Sequence, residues 1–342
     1  MKKILLISLV LILLIIGGAA AYGYYYVNTT FGLSEAEAIG YEDVLNDNTR
    51  LIAMVQPMMA IPFLRPMIPT KLASLPSWVP WEPGQLLDKG APREVTLLAG
   101  TDPAAGRIPF MVFVNERIGG PIVAAQMAAQ EFFSQPGTVQ WDAPAVTLPR
   151  RGQLETRGSF PYPQEIKTQV QTMFRTAKSG ASAETLTREH LFEAVLDNRE
   201  GDFLAFIGTA TALGGGSLDE MLADPNVGPI ITHCQNIRLT ADITGPDEMT
   251  IAFRMGMIPE TPLQVRLAML FAVNEIAFPA LKNGTGPLYD GRNSDFRGLE
   301  GYGLTLDWKQ NKADFKDGAL IGECILSGFR PQIEAFIAAN IR

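Results

Sequence analysis

The segment IRLTADITGPDEMTIAFRMGM, residues 237–257, is the part of the sequence that decides the fold. Apolar and polar residues alternate from Ile237 to Thr244, which is the period-two pattern of a strand with one buried face. The following tetrapeptide, Gly245-Pro246-Asp247-Glu248, has the composition of a tight turn. Every second residue from Met249 to Met257 is then apolar again. The segment therefore predicts a β-hairpin that packs one apolar face against a core.

Strand-like and helix-like segments surround this hairpin in an order that occurs twice. Each half reads as a strand, an irregular segment, a hairpin, a helix that starts at proline, further strands and a closing amphipathic helix. We therefore predict an α+β fold class, in which an N-terminal transmembrane helix precedes two similar units of antiparallel sheet and helices. The first unit covers residues 49–180 and the second covers residues 186–342. The alternative is a chance agreement of common turn sequences.

One helix in the second half has apolar residues at helical spacing. Thr261 and Pro262 are typical of a helix start, and Pro279 is expected to end the helix after about Phe278. An apolar set of this kind is more often part of a core than of a binding groove. The residues predicted to be core are Leu263, Leu267, Leu270, Phe271 and Phe278.

Residues 1–27 are the most apolar part of the chain. Lys2 and Lys3 precede an apolar run that begins at Ile4, and a group of tyrosines ends it. Two interpretations stay open: residues 4–27 form a retained membrane anchor, or they contain a signal peptide that is cleaved after Ala21. In both, the lysines stay cytoplasmic and the following chain is exported. Residues 28–48 are then a polar tether.

The charge of the exported part limits its partners. Removing the two N-terminal lysines changes the formal charge from −8 to −10. Binding of nucleic acid requires a basic surface that neutralises phosphates, and electrostatic adhesion to anionic lipid requires clustered lysine and arginine. The composition therefore argues against both kinds of partner.

The residues available for catalysis or metal binding are few. Cys234 and Cys324 are a candidate disulfide in an oxidising compartment, and the alternative is two buried free thiols. Of the two histidines, His233 adjoins Cys234 in a strand-like segment, where neighbours point to opposite faces. His190 lies before a strand, and the sequence contains no zinc-finger, P-loop or dinucleotide spacing. The sequence therefore predicts no catalytic residues, no metal site and no cofactor.

Residues 57–92 combine dense proline with methionine and tryptophan. Such proline density excludes a continuous helix or a central strand. One interpretation is an irregular connection that packs on the core, with methionine filling gaps. The other is an exposed apolar surface that docks a protein partner, a lipid or the membrane. The candidate partner- or lipid-binding residues are Met58, Met59, Phe63, Met67, Trp78 and Trp81.

Three short motifs carry a resemblance: LADP at 222–225, IRLTAD at 237–242 and GPD at 245–247. With them, residues 45–342 resemble bacterial envelope proteins that have one N-terminal anchor and a duplicated α+β exported region. The resemblance implies a single-pass protein of the bacterial inner membrane, with a cytoplasmic N-terminus and a periplasmic C-terminal region. It supplies no catalytic residues.

The expected function is that of a non-enzymatic, membrane-anchored envelope protein whose exported region binds a protein partner or an apolar ligand. One alternative is an exported hydrolase-like enzyme that uses carboxylates in a cleft between the two units. Another is a structural component of an envelope assembly. An exposed apolar patch would favour the first function, and clustered carboxylates with raised pKa values would favour the enzyme.

Overall fold

A computed structural model describes residues 45, 49–68, 88, 91–102, 104–115, 140–147, 153–161, 186–198, 223, 228–284 and 298–340. The predicted anchor at residues 4–27 lies outside the described residues, and so do Trp78 and Trp81. Predictions about these residues stay predictions.

Eleven strands of the described chain form one antiparallel sheet. Their bounds are β1 Thr49–Val55, β2 Glu94–Gly100, β3 Arg107–Asn115, β4 Gln140–Thr147, β5 Gln153–Pro161, β6 Phe192–Asp197, β7 Cys234–Gly245, β8 Glu248–Met257, β9 Thr305–Trp308, β10 Asp314–Lys316 and β11 Ala319–Ser327. The order along the sheet is β10-β11-β8-β7-β6-β1-β2-β3-β5-β4, and β9 also pairs with β11. The mixed α+β class with a large antiparallel sheet is thus confirmed, and β7 and β8 form the predicted hairpin.

The described helices are few. They are α1 Pro57–Leu64, α2 Gly228–His233, α3 Leu263–Asn283 and α4 Arg330–Asn340, with 3-10 turns at Arg65–Met67 and Glu300–Tyr302.

Helix α3 is longer than the sequence predicts, because it continues past Pro279. Its first α-helical part, Leu263–Phe271, is followed by a π-helical segment, Ala272–Ala277. Pro279 then stands in the first turn of the last part, Phe278–Asn283. The changed hydrogen-bond spacing of the π turn accommodates a residue that has no backbone N–H. The predicted end after Phe278 is therefore wrong.

The two predicted units share this one sheet, because β1 pairs with β6. Ala53 of β1 lies opposite Ala194 of β6 at the centre of the pairing. On one side of this pair the strand order is β1-β2-β3-β5-β4, and on the other it is β6-β7-β8-β11-β10. The first strand of each half is therefore at the centre of the sheet.

Among the described residues, two hydrophobic cores lie on opposite faces of the sheet. The first contains Ile52, Met54, Leu98, Leu186 and Val195. The second contains Met257, Met269, Ala313 and Leu320, under helix α3.

The strand pairings also show on which face of the sheet Arg254 lies. Val195 of the first core pairs with Arg238, and Arg238 pairs with Arg254. Because paired residues share a face, Arg254 lies on the side of the first core, away from α3.

Candidate apolar binding surface

Helix α3 begins beside the sheet end at which β8 finishes, and one side of it packs on the second core. The hydroxyl of Thr261 donates a hydrogen bond to the Ile258 carbonyl at 2.6 Å, which fixes the turn before the helix. Val265, Met269 and Val273 then contact the core that Leu320 also forms. These residues recur every four positions, as expected for the buried side of a helix.

The opposite side of the same helix is also apolar, but it is exposed. Leu263, Leu267 and Phe271 keep 70%, 56% and 53% of their surface accessible. They are spaced at i, i+4 and i+8 in the regular part of the helix, so they lie on one side of it. We call these three residues the α3 stripe. A row of large exposed apolar side chains is unusual on a soluble surface and is typical of interaction sites.

No formal charge lies on the α3 stripe. The one charged residue of Leu263–Phe271 is Arg266, whose guanidinium Nε donates to the Thr261 carbonyl at 3.2 Å. The same group lies 6.0 Å from the ring centre of Phe315. Arg266 is therefore held against its own domain.

The sequence-based prediction that Leu263, Leu267 and Phe271 belong to the core is wrong. Leu270 packs beside the core, and Phe278 is half-buried and stacks on Trp308, with ring centres 4.2 Å apart. The physical reason is that a single sheet covers only one side of a helix. The sequence signals a second apolar side, because α3 carries more apolar residues than one buried side can hold, but it does not show whether another layer covers that side.

Helix α3 is also the one helix among the described residues that is long and apolar enough to cross a membrane. It has 21 residues, or roughly 30 Å of helix. The core helix of a soluble protein passes the same test.

The predicted patch in residues 57–92 is only partly described. Met58, Met59 and Phe63 lie on α1, and Met67 lies in the following 3-10 turn. Met59 is 44% exposed, while the ring of Phe63 contacts Phe329 with centres 5.4 Å apart. The described part of this segment is thus a short helix that packs on the start of α4, although the sequence predicts an irregular chain.

Helix α1 and the α3 stripe do not form one surface. Helix α1 follows the end of β1, whereas α3 follows the end of β8. Strand β1 is antiparallel to β6, β6 is antiparallel to β7, and β7 is antiparallel to β8. Strands β1 and β8 therefore run in opposite directions. The two helices therefore start at opposite ends of the sheet.

The cysteine prediction is corrected by the strand register. Both cysteines are free and buried. Cys234 pairs with Met257 of β8, while Cys324 pairs with Ile251. Six residues along a strand correspond to about 20 Å, far beyond the roughly 7 Å limit for the Cα atoms of a disulfide. A Cys234–Cys324 disulfide is therefore wrong, and the alternative of two free thiols agrees with the structure.

The thiols are also unsuited to nucleophilic catalysis. Burial raises the pKa of Cys234 to about 12 and that of Cys324 to about 11, so both are protonated at neutral pH. His233 ends helix α2 instead of lying in a strand. In the part of the chain that the structure describes, no group of three or more His, Cys, Asp or Glu side chains is placed to hold a metal ion.

His190 forms a structural pair with Asp242. Its Nδ1 lies 2.5 Å from Asp242 Oδ2, and Asp242 Oδ1 accepts the backbone N–H of Leu191 at 2.9 Å. The pair therefore links the segment before β6 to β7, the strand that neighbours β6 in the sheet.

Comparisons with known proteins give little further information. No family model matches the chain, and no curated protein matches it at a significant level. Two solved structures, crystal forms I and III of TP0453, align with TM-scores of 0.33 and 0.34 and 8% sequence identity. The alignments cover 89% and 88% of this chain and 99% of each of those chains. Likeness at this level carries no argument about the present chain.

Proposed function

We propose that this chain is a non-enzymatic, membrane-anchored envelope protein whose exported α+β region binds through the α3 stripe. The observation that carries the proposal is the row of three large apolar side chains that α3 turns away from the core. Burying such side chains against a partner or an apolar ligand removes apolar surface from water, at about 25 cal/mol for each Å².

The membrane anchor is the second part of the proposal. It is supported by the sequence alone, through the lysines before an uncharged apolar run at residues 4–27. The anchor explains why an acidic domain without a basic surface would stay at a membrane, since charge cannot hold it there.

Internal duplication is the third part, and the strand order supports it. In the first half, β1, β2 and β3 lie side by side, and the last strand of that half, β5, lies next to β3. In the second half, β6, β7 and β8 lie side by side, and the last strand of that half, β11, lies next to β8. The two first strands meet around Ala53 and Ala194. In addition, a phenylalanine ring of the third strand covers a glycine of the last strand in each half: Phe110 over Gly158 and Phe253 over Gly322.

Photo-crosslinking in native membranes tests the binding role. A photoreactive amino acid replaces Phe271 on the stripe, and a matched variant carries it at Arg254, which is exposed on the other face of the sheet. We expect crosslinks to another molecule from position 271 and not from position 254. Equal or absent crosslinking at the two positions would contradict the proposed binding surface.

A further inference from the structure

We propose that the α3 stripe binds the surface of a lipid bilayer, with Leu263, Leu267 and Phe271 inserted among the upper acyl chains. This inference rests on the proposed function and names the partner of the same surface. Helices that bind in this way bury an apolar side about 5–10 Å into the boundary between headgroups and acyl chains and keep their other side in the protein or in water.

The length of the chain before the sheet keeps the stripe within reach of a bilayer. Residues 28–48 separate the predicted anchor from β1, and 21 extended residues span at most about 75 Å. Strand β1 begins at Thr49, at the same end of the sheet at which β8 ends and α3 begins. The tether therefore enters the domain at the end where the stripe lies.

The contacts of α3 argue against its crossing the bilayer. The side-chain amide of Asn274 is buried and bonds both the N–H and the carbonyl of Ala313 at 3.0 Å. Lys282 pairs with Asp307 at 2.5 Å, and Glu275 pairs with Lys312 at 2.6 Å. Crossing would break these contacts and place polar and charged groups in hydrocarbon. Only the outer side of α3 is available to lipid.

The chemistry of the stripe selects the acyl region and not the charged headgroups. All three side chains are apolar, and Arg266 is held against the Thr261 carbonyl. Attraction by charge would weaken as salt screens it, whereas burial of apolar surface does not. We therefore expect the stripe to bind electrically neutral vesicles, with little dependence on ionic strength.

Fluorescence quenching in vesicles tests this inference with the full-length chain. Leu267→Cys is labelled with the environment-sensitive fluorophore NBD, and Arg254→Cys is the control on the other sheet face. The natural thiols are buried, so labelling at neutral pH is selective for the introduced cysteine. Both proteins are reconstituted into phosphatidylcholine vesicles that contain a brominated lipid as quencher, and iodide is added as the aqueous quencher.

We expect the label at 267 to emit at shorter wavelength, to be quenched by the brominated lipid and to be protected from iodide. The label at 254 should emit at longer wavelength, be quenched by iodide and not be quenched by the brominated lipid. Quenching of both labels by iodide alone would overturn the inference. Protection of the label at 267 from both quenchers would overturn it too, because a second copy of the chain would then cover the stripe.

Failure of the inference can be distinguished from failure of the proposed function. If the stripe stays in water in vesicles but position 271 crosslinks to a protein in native membranes, the binding role stands and the partner is not lipid. If position 271 crosslinks to nothing, both proposals fail.

Discussion

Glu193 is a carboxylate that has no exposed surface, and its contacts explain how the sheet holds it. One carboxylate oxygen accepts the backbone N–H groups of Thr187 and Arg188 at 2.8 and 3.2 Å, and also the Thr187 hydroxyl at 3.0 Å. The other accepts no hydrogen bond from the described residues, but it lies 3.2 Å from a guanidinium nitrogen of Arg238, so its contact is an ion pair. These contacts offset the loss of hydration, and the Leu186–Arg188 segment is thereby fixed to β6.

Replacing this carboxylate should lower stability strongly. Glu193→Gln keeps the shape but removes the buried negative charge that faces Arg238, so we expect a loss of about 2–4 kcal/mol in the free energy of unfolding. The matched control is Glu323→Gln, whose partner Lys309 lies at the surface at 2.6 Å; its loss should stay below about 1 kcal/mol. Urea unfolding measures both, and equal losses would contradict the structural role of Glu193.

The buried thiol of Cys234 predicts a loss of stability at high pH. Burial raises its pKa to about 12 in the folded chain, while the unfolded thiol titrates near about 8.5. The folded state therefore holds the proton more tightly, and stability is lost as pH rises from about 9 towards 12. Cys234→Ala lacks this titration. The difference in the free energy of unfolding between wild type and the variant should therefore become smaller over that range. A gap that is constant with pH would contradict the burial of this thiol.

At the scale of single elements, local pattern predicted the hairpin of β7 and β8. The alternation from Ile237 to Met257 predicts β7 and β8 and the turn between them, because side chains of a strand alternate between its faces. The environment of α3 could not be predicted in this way. Helical spacing shows that a side is apolar, but it does not show whether a second layer covers that side.

The π-helical segment of α3 gives an element-scale prediction. Asn274 there makes two hydrogen bonds to the buried backbone of Ala313. Asn274→Leu would leave both backbone groups without their partner, so we expect a loss of about 2–4 kcal/mol. Asn283→Leu, at an exposed position on the same helix, is the control and should change the free energy of unfolding by less than about 0.5 kcal/mol. Thermal and urea unfolding measure the difference, and similar effects of the two variants would argue against this attachment of α3.

At the scale of the whole molecule, sequence patterns could not predict that the two halves are joined in one sheet. The pairing of β1 with β6 connects residues about 140 positions apart, and no turn sequence specifies such a contact. The repeated order of elements predicted two units, whereas the described strands form one sheet that continues through both. The candidate residues at 57–92 came from composition, which cannot reveal that Phe63 packs on Phe329.

The N-terminal prediction is tested by the mass of the mature chain. A retained anchor predicts that protein extracted from membranes has the mass of the full sequence, 37.3 kDa. Cleavage after Ala21 would instead give a chain that begins at Tyr22 and needs no detergent for extraction. Intact-mass spectrometry of protein from washed membranes distinguishes the two outcomes, and detection of the shorter chain alone would contradict the anchor.

The most direct test of the central claim is whether the α3 stripe is covered in native membranes. The rate of reaction with a membrane-impermeant maleimide is measured for Leu267→Cys and Arg254→Cys in sealed vesicles that expose the exported domain. The account predicts that the cysteine at 267 reacts much more slowly than the one at 254, although both positions are exposed in the isolated chain. Equal rates would show that nothing covers the stripe and would contradict its role as a binding surface.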